Sequence, residues 1–135
     1  MQVIHTPNAP AAIGPYSQAV ISGNFLFCSG QIPLDPASGQ MKQASIEEEV
    51  KQVLTNLSGV VKAAGADLGK VVKTTIFLTD LSHVRLRKRI RKGGADCGDV
   101  QGPVALEGRG GHLPPEWERP GRMLRVGVRF AVGRS

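Results

Sequence analysis

Apolar positions in the first eighty residues follow two different periods. Val20 and Ile21 end one short apolar run, Ser22-Gly23-Asn24 supplies turn chemistry, and Phe25 to Cys28 form a second run. This arrangement predicts a β-hairpin. Residues 70–80, "KVVKTTIFLTD", are rich in β-branched side chains and predict a further strand.

Between these strands the period changes to that of a helix. Ser45 is the predicted N-cap, and Glu48 three residues later completes a capping-box pattern. Gly65 is the predicted C-terminal stop. One apolar stripe recurs at helical spacing and comprises Val50, Val53, Leu54, Leu57, Val61 and Ala64.

The order strand, strand, helix, strand predicts an α+β domain with helices packed on one face of a sheet. These four elements alone would leave sheet edges unpaired and the core half covered. We therefore expect a second helix and further strands in the remainder of the chain. With 135 residues, the chain has the length of a single domain, 1–135.

Charge divides the chain in two. Residues 1–80 contain five Lys, no Arg and six acidic residues, a net charge of −1. Residues 81–135 contain ten Arg, two Lys and five acidic residues, a net charge of +7. Glycine is also concentrated in the second part, so the two parts have the composition of different proteins.

Few residues suggest a metal, a disulfide or a membrane. Cys28 and Cys97 are too few for a disulfide framework or a zinc site, and His83 and His112 have no acidic or thiol companions nearby in sequence. No metal is therefore expected. The first residues lack the features of a secretory signal, and no apolar run approaches membrane-spanning length. We expect a soluble intracellular protein in the cytoplasm, with a mitochondrial location left open, and no membrane or DNA partner.

Three stretches of the first part resemble the RidA/YjgF/UK114 family of imine deaminases, also described as perchloric-acid-soluble proteins or translation inhibitors. They are "APAAIGPYSQAV", "FLFCSGQIPLDPASGQ" and "VVKTTIFLTDL". They occur in family order over about residues 4–82, with the predicted helix between the second and the third. The resemblance implies a chorismate-mutase-like fold, a homotrimer, and sites between subunits. It also implies the hydrolysis of reactive 2-imino or enamine acids to 2-keto acids and ammonia, without a cofactor. Such substrates are released by pyridoxal-phosphate-dependent serine and threonine dehydratases.

The family-like pocket residues are Tyr16, Ser29, Gly30 and the adjacent Gln31. Tyr16 offers an aromatic wall and a hydroxyl, while Ser29 and the Gly30 backbone offer polar groups near a small planar substrate. The alternative is structural: the glycines shape turns, and Tyr16 packs at a subunit boundary. The family resemblance favours the pocket.

After Ser82 the family pattern is lost. The resemblance implies a helix like "DFA-VNE-Y", a strand like "ARS-V-VAALP" whose Arg binds the substrate carboxylate, and a last strand whose Glu handles the attacking water. None of these appears in residues 83–135, so the catalytic residues cannot be assigned from this tail. If the tail is genuine, we expect the sheet to lack two strands.

The genetic code suggests an origin for the tail. Back-translated and read one base later, residues 83–91 permit Thr-Phe-Ala-Ser-Val-Asn-Glu-Tyr, and residues 102–111 permit Ala-Arg-Ser, three residues and Val-Ala-Ala. Residues 118–124 permit Asn-Val-any-Val-Glu-Cys. Three family-like motifs in one frame and in order support the hypothesis that 83–135 is a frameshifted translation.

Taken literally, residues 85–92, "RLRKRIRK", contain six basic side chains. Such a run is compatible with binding of RNA phosphates, but no aromatic residues interleave with it to stack bases. Val126, Val128, Phe130 and Val132 alternate and predict a last strand, which carries Arg129 rather than an acid. Three functions stay open: an imine deaminase, an RNA-binding or ribonuclease-type translation inhibitor, and an inactive truncated relative.

Overall fold

The computed structural model describes residues 1–12, 15–66, 68–78, 104–107 and 126–133. These residues form one helix, one 3-10 turn and six strands. In chain order they are β1 (Gln2–Ile4), β2 (Ala19–Ser22), β3 (Phe25–Cys28), α1 (Ile46–Ala63), the turn Leu68–Lys70, β4 (Val71–Leu78), β5 (Val104–Glu107) and β6 (Val126–Gly133).

The strands form one sheet in the order β1-β2-β3-β6-β4-β5. The β4–β5 pair is parallel, and every other neighbouring pair is antiparallel. Strand β6 is therefore central, with Val132 opposite both Leu26 of β3 and Val71 of β4. The α+β class predicted from the sequence is confirmed.

The predicted hairpin and helix are confirmed in detail. Ala19–Ser22 pairs with Phe25–Cys28 around a turn in which Gly23 has a φ of +58°, a left-handed conformation that glycine adopts without strain. The Ser45 hydroxyl accepts a hydrogen bond from the Glu48 N–H at 3.2 Å, as the capping-box pattern predicts. At the other end of α1, Gly65 has a φ of +70° and ends the helix.

The core lies between α1 and one face of the sheet. The helix contributes Val50, Val53, Leu54, Leu57, Val60 and Val61, all buried. The sheet contributes Ile4, Ala19, Ile21, Leu26, Cys28, Val71, Val128 and Val132. Cys28 is a free thiol within this core, and desolvation by burial raises its pKa to about 12, so it stays protonated at neutral pH.

The second part of the chain corrects one expectation. The sheet does not lack two strands, because Val104–Glu107 pairs with β4 and Val126–Gly133 lies between β3 and β4. Both segments carry enough apolar or β-branched residues to extend a sheet whose edges would otherwise be open. The last strand predicted from the alternation of Val126 to Val132 is confirmed. Strand β1, by contrast, was not anticipated.

Several expectations lie outside the described residues: the second helix, the basic run at residues 85–92, His83, His112 and Cys97. Within the described part of the chain, no helix is long and apolar enough to cross a membrane. In the same part, no three His, Cys, Asp or Glu side chains form a group able to hold a metal ion.

Candidate functional site

The candidate site begins where β2 and β3 leave the hairpin. The Ser29 N–H donates to the Gln18 carbonyl at 3.0 Å, which continues the β2–β3 pairing by one step. The Ser29 hydroxyl donates a hydrogen bond to the carbonyl of Ser17. These two bonds join the segment after β3 to the segment before β2.

Three of the four residues named from the sequence are consecutive, and the fourth lies beside them. Ser29 and Gly30 are half-buried, and Tyr16 directly precedes the Ser17 that accepts from Ser29. Tyr16 is 40% exposed, so part of its surface is accessible in the described structure. The structure thus brings Tyr16, Ser29 and Gly30 into one strip.

Gln31 has a different environment from its neighbours. It is 5% exposed, and its main chain forms two hydrogen bonds with Val128 of β6. The Gln31 N–H donates to the Val128 carbonyl at 2.9 Å, and the Val128 N–H donates back at 3.3 Å. This pair ties the strip to the central strand, in which Arg129 follows Val128 and lies opposite Thr75.

Gln18 fixes the chain on one side of the strip. Its side chain is 2% exposed, and its carboxamide oxygen accepts from the Thr6 N–H at 2.7 Å. The carboxamide nitrogen donates to the carbonyls of Thr6, Ala9 and Pro10 at 3.0, 3.2 and 2.9 Å. One buried amide therefore satisfies four main-chain groups of the loop 6–10.

Asn56 fixes the chain on the other side. It is fully buried in α1, and its amide nitrogen donates to the carbonyls of Ile32 and Leu34 at 3.0 and 2.9 Å. Its oxygen accepts from Gln52 at 2.9 Å. The loop that follows Gln31 is thereby held on the helix. Neither Gln18 nor Asn56 was identified from the sequence.

Two clefts lie beside the N-terminal loop. One, of about 330 Å³, is lined by His5, Thr6, Pro7, Ala11, Ala12 and Gln18. The other, of about 410 Å³, is lined by Pro7, Asn8, Pro36, Ala37, Thr55, Ser58, Gly59 and Lys62. Neither is lined by Tyr16 or Ser29. Both clefts are of ligand size.

The face of the sheet opposite α1 carries several apolar side chains that are exposed among the described residues, and the exposed Lys73 lies opposite Ala131 on the same face. Val3 pairs with Val20, Val20 with Phe27, and Phe27 with Ala131, so these four share that face. Phe25 and Phe27, at 45% and 49% exposure, stand side by side with ring centroids 6.3 Å apart. Exposed apolar surface of this extent is typical of a contact region.

Comparisons with known proteins agree with this architecture. The family model described as "Endoribonuclease L-PSP" matches residues 6–107, which extends beyond residue 82, where the sequence pattern was judged to end. A RutC family protein of Sinorhizobium fredii is 47% identical over 93 residues, which are 69% of this chain and 74% of the relative.

A bovine relative carries the name 2-iminobutanoate/2-iminopropanoate deaminase. It is 51% identical over 81 residues, which are 60% of this chain and 59% of the bovine protein. The matched stretch thus spans less than two thirds of that relative.

Among solved structures, the YjgF gene product of E. coli superposes with a TM-score of 0.83 at 30% identity, over 100% of both chains. Since a family model covers most of the chain and the described residues have the same fold as this structure, this chain belongs to the RidA/YjgF family, whose model is described as endoribonuclease L-PSP.

Proposed function

We propose that this protein hydrolyses reactive 2-imino and enamine acids to 2-keto acids and ammonia. The observation that carries the proposal is the strip of Tyr16, Ser29 and Gly30, which the Ser29–Ser17 hydrogen bond holds together. The same residues are those that resemble the family pocket. Relatives about half identical to this chain over the matched stretch bear the name of such a deaminase.

The reaction needs positioning more than strong acid–base chemistry. A protonated imine is already electrophilic, so water attacks its carbon, and the carbinolamine then loses ammonia to leave the keto acid. In this site the Tyr16 ring would lie against the planar substrate, and its hydroxyl would offer a hydrogen bond. Holding substrate and water in reactive geometry can contribute several kcal/mol to such a step.

The sequence lacks the family-like arginine that would bind the substrate carboxylate. The family pattern implies an Arg at the start of the strand that here is β5, but Pro103 precedes Val104. Losing a charged hydrogen bond costs about 1.5–3 kcal/mol, or roughly 10- to 150-fold in substrate binding. We therefore expect slow turnover with a raised KM.

The test of the proposed reaction is the release of 2-keto acid from an imine made in situ by a threonine dehydratase. Replacing Tyr16 by Phe removes one hydrogen bond and should lower kcat/KM about two- to tenfold. Tyr16→Ala also removes the aromatic wall and should lower it further. Thr55→Ala, on the exposed side of α1, is the control. Equal rates in all four proteins would refute the assignment of this strip.

We also propose that three copies of the chain assemble through the open face of the sheet. Val3, Phe25, Phe27 and Val72 are exposed there, and the strip of Tyr16 and Ser29 lies at the end of the same hairpin. A neighbouring copy would cover both the apolar face and the exposed Tyr16 ring. The site would then be completed between subunits.

Phe27→Lys tests this assembly, because a charge in the apolar contact should dissociate the trimer. Gln40→Lys introduces the same charge in an exposed loop and should leave the assembly intact. Sedimentation velocity measures both. A wild-type monomer, or a trimer that survives Phe27→Lys, would contradict the proposed contact.

A role in RNA binding is the second candidate, favoured by the net charge of +7 in residues 81–135. Binding through phosphates should weaken steeply as salt rises, with a slope set by the number of phosphates neutralised. Titration of a single-stranded RNA between 50 and 200 mM salt, concentrations chosen because such binding falls roughly a thousandfold or more across them, separates this function from the deaminase.

A further inference from the structure

The direction of the Ser29 hydrogen bond fixes what this hydroxyl can offer a ligand. Its partner is the Ser17 carbonyl oxygen, which carries no proton, so the Ser29 hydroxyl must be the donor. A hydroxyl has one proton and two acceptor lone pairs. With its proton directed to Ser17, Ser29 can present only lone pairs to a ligand.

The Ser17 carbonyl that accepts this hydrogen bond is held in place. Ser17 is followed by Gln18, whose carbonyl accepts the Ser29 N–H at 3.0 Å. The Gln18 side chain is anchored by its four hydrogen bonds to the loop 6–10. Rotating the Ser17 carbonyl away from Ser29 would also displace the adjoining Gln18 and so strain its hydrogen bonds to the loop 6–10.

The same bond argues against Ser29 as a nucleophile. A nucleophilic serine needs a base that takes its proton, and a main-chain carbonyl is not such a base. The hydroxyl is therefore suited to recognise a ligand rather than to attack it.

We propose that Ser29 is a specificity-determining acceptor that favours the nitrogen-bearing form of the ligand over the 2-keto acid. The inference rests on the proposed function. In the reaction, the iminium ion and water give the keto acid and an ammonium ion: a carbon–oxygen bond forms, and the carbon–nitrogen bond breaks with its electron pair leaving on nitrogen. The iminium N–H can donate to Ser29.

The product has no such donor. Its keto oxygen carries only lone pairs, which would face the lone pairs of Ser29 and be repelled. Binding should therefore weaken when nitrogen is replaced by oxygen, so the site holds the substrate and releases the product. The geometry gives Ser29 this role without any change in the position of the side chain.

Oxamate and pyruvate form a matched pair of probes for this role. Both are small planar 2-oxo carboxylates, and they differ in an amino group against a methyl group, so only oxamate offers N–H donors. We expect the full-length wild-type protein to bind oxamate about fivefold to tenfold more tightly than pyruvate, the value of one hydrogen bond. Isothermal titration measures both dissociation constants without turnover.

Ser29→Ala should bind oxamate and pyruvate about equally, whereas Ser29→Thr, which keeps the hydroxyl, should retain the preference for oxamate. Circular dichroism establishes that each variant is folded, and the wild-type preference tests the inference even if a variant is not. The inference is overturned if wild type binds the two probes equally or not at all, or if folded Ser29→Ala keeps the preference.

Keto acid release by wild type is measured separately. No turnover with the preference intact would count against the proposed reaction alone, and turnover without it would count against this inference alone.

Discussion

At the scale of single residues, two buried amides determine the shape of the candidate site. Gln18 holds the loop 6–10, and Asn56 holds the loop 32–34. Residues 29–31, two of which belong to the strip, lie between these two anchored parts of the chain. Each amide forms hydrogen bonds with several main-chain groups of its loop. The site therefore depends on residues that need not touch the substrate.

Asn56→Leu tests the contribution of one of these amides. Leu has a similar volume but donates to neither carbonyl: Ile32 still accepts from the Leu34 N–H at 2.7 Å, whereas the Leu34 carbonyl loses its Asn56 donor. One unsatisfied buried group costs about 1–3 kcal/mol, so we expect the free energy of unfolding to fall by about that amount in urea denaturation. Thr55→Ala, the exposed neighbour, should change it by less than about 0.7 kcal/mol. A variant as stable as wild type would show that water or a shifted loop replaces these bonds.

The sequence identified Tyr16, Ser29 and Gly30 because they lie in motifs that resemble a family, but it did not identify Gln18 or Asn56. The reason is physical. A glutamine before a strand or an asparagine in a helix has no spacing pattern of its own, since its partners are main-chain groups 8 to 24 residues away. Such partners are known only once the loops are placed.

At the scale of elements, local signals predicted the hairpin and α1 well. The turn at Gly23, the cap at Ser45 and the stop at Gly65 each act over a few residues, so the sequence contains them directly. Strand β1 has three residues and gains its place only through pairing with β2. Strand β5 has four residues and depends on β4 in the same way.

Gly59 shows how the contact between a helix and a loop can override helix propensity. Alanine would gain about 1 kcal/mol over glycine within a helix. However, a Cβ at position 59 would lie 2.6 Å from the main-chain oxygen of Asn8, which would have to move.

Overpacking of this kind costs about 1–3 kcal/mol, so we expect Gly59→Ala to lower the thermal midpoint rather than raise it. Thr55→Ala, one turn earlier on the exposed side of α1, provides the comparison because it shortens an exposed side chain and adds no atom. Thermal unfolding followed by circular dichroism measures both variants. A higher midpoint for Gly59→Ala would mean that the loop 6–10 yields easily.

At the scale of the whole molecule, two segments of the tail complete a six-stranded sheet among the described residues, although the family's later sequence motifs are absent. The tail supplies strands to both sides of β4, with Arg129 in the central strand and Pro103 before β5. Sheet formation requires mainly apolar, β-branched segments of suitable length, whereas catalysis requires particular side chains at particular positions. A tail can therefore satisfy the first requirement without the second.

The frameshift hypothesis concerns this same tail and has a direct check. Protein isolated from its natural source should differ in intact mass from the 14.3 kDa of this chain, because a shifted frame changes nearly every residue after Ser82. Agreement with 14.3 kDa would remove the hypothesis.

If the strip around Tyr16 and Ser29 forms half of an imine-hydrolysing site, as we propose, the protein should release 2-keto acid from freshly generated 2-iminobutanoate. The rate is measured with folded protein whose mass matches this chain. We expect it to exceed spontaneous hydrolysis, to rise with protein concentration, and to saturate only weakly with substrate. A rate equal to that of buffer alone would contradict the proposal.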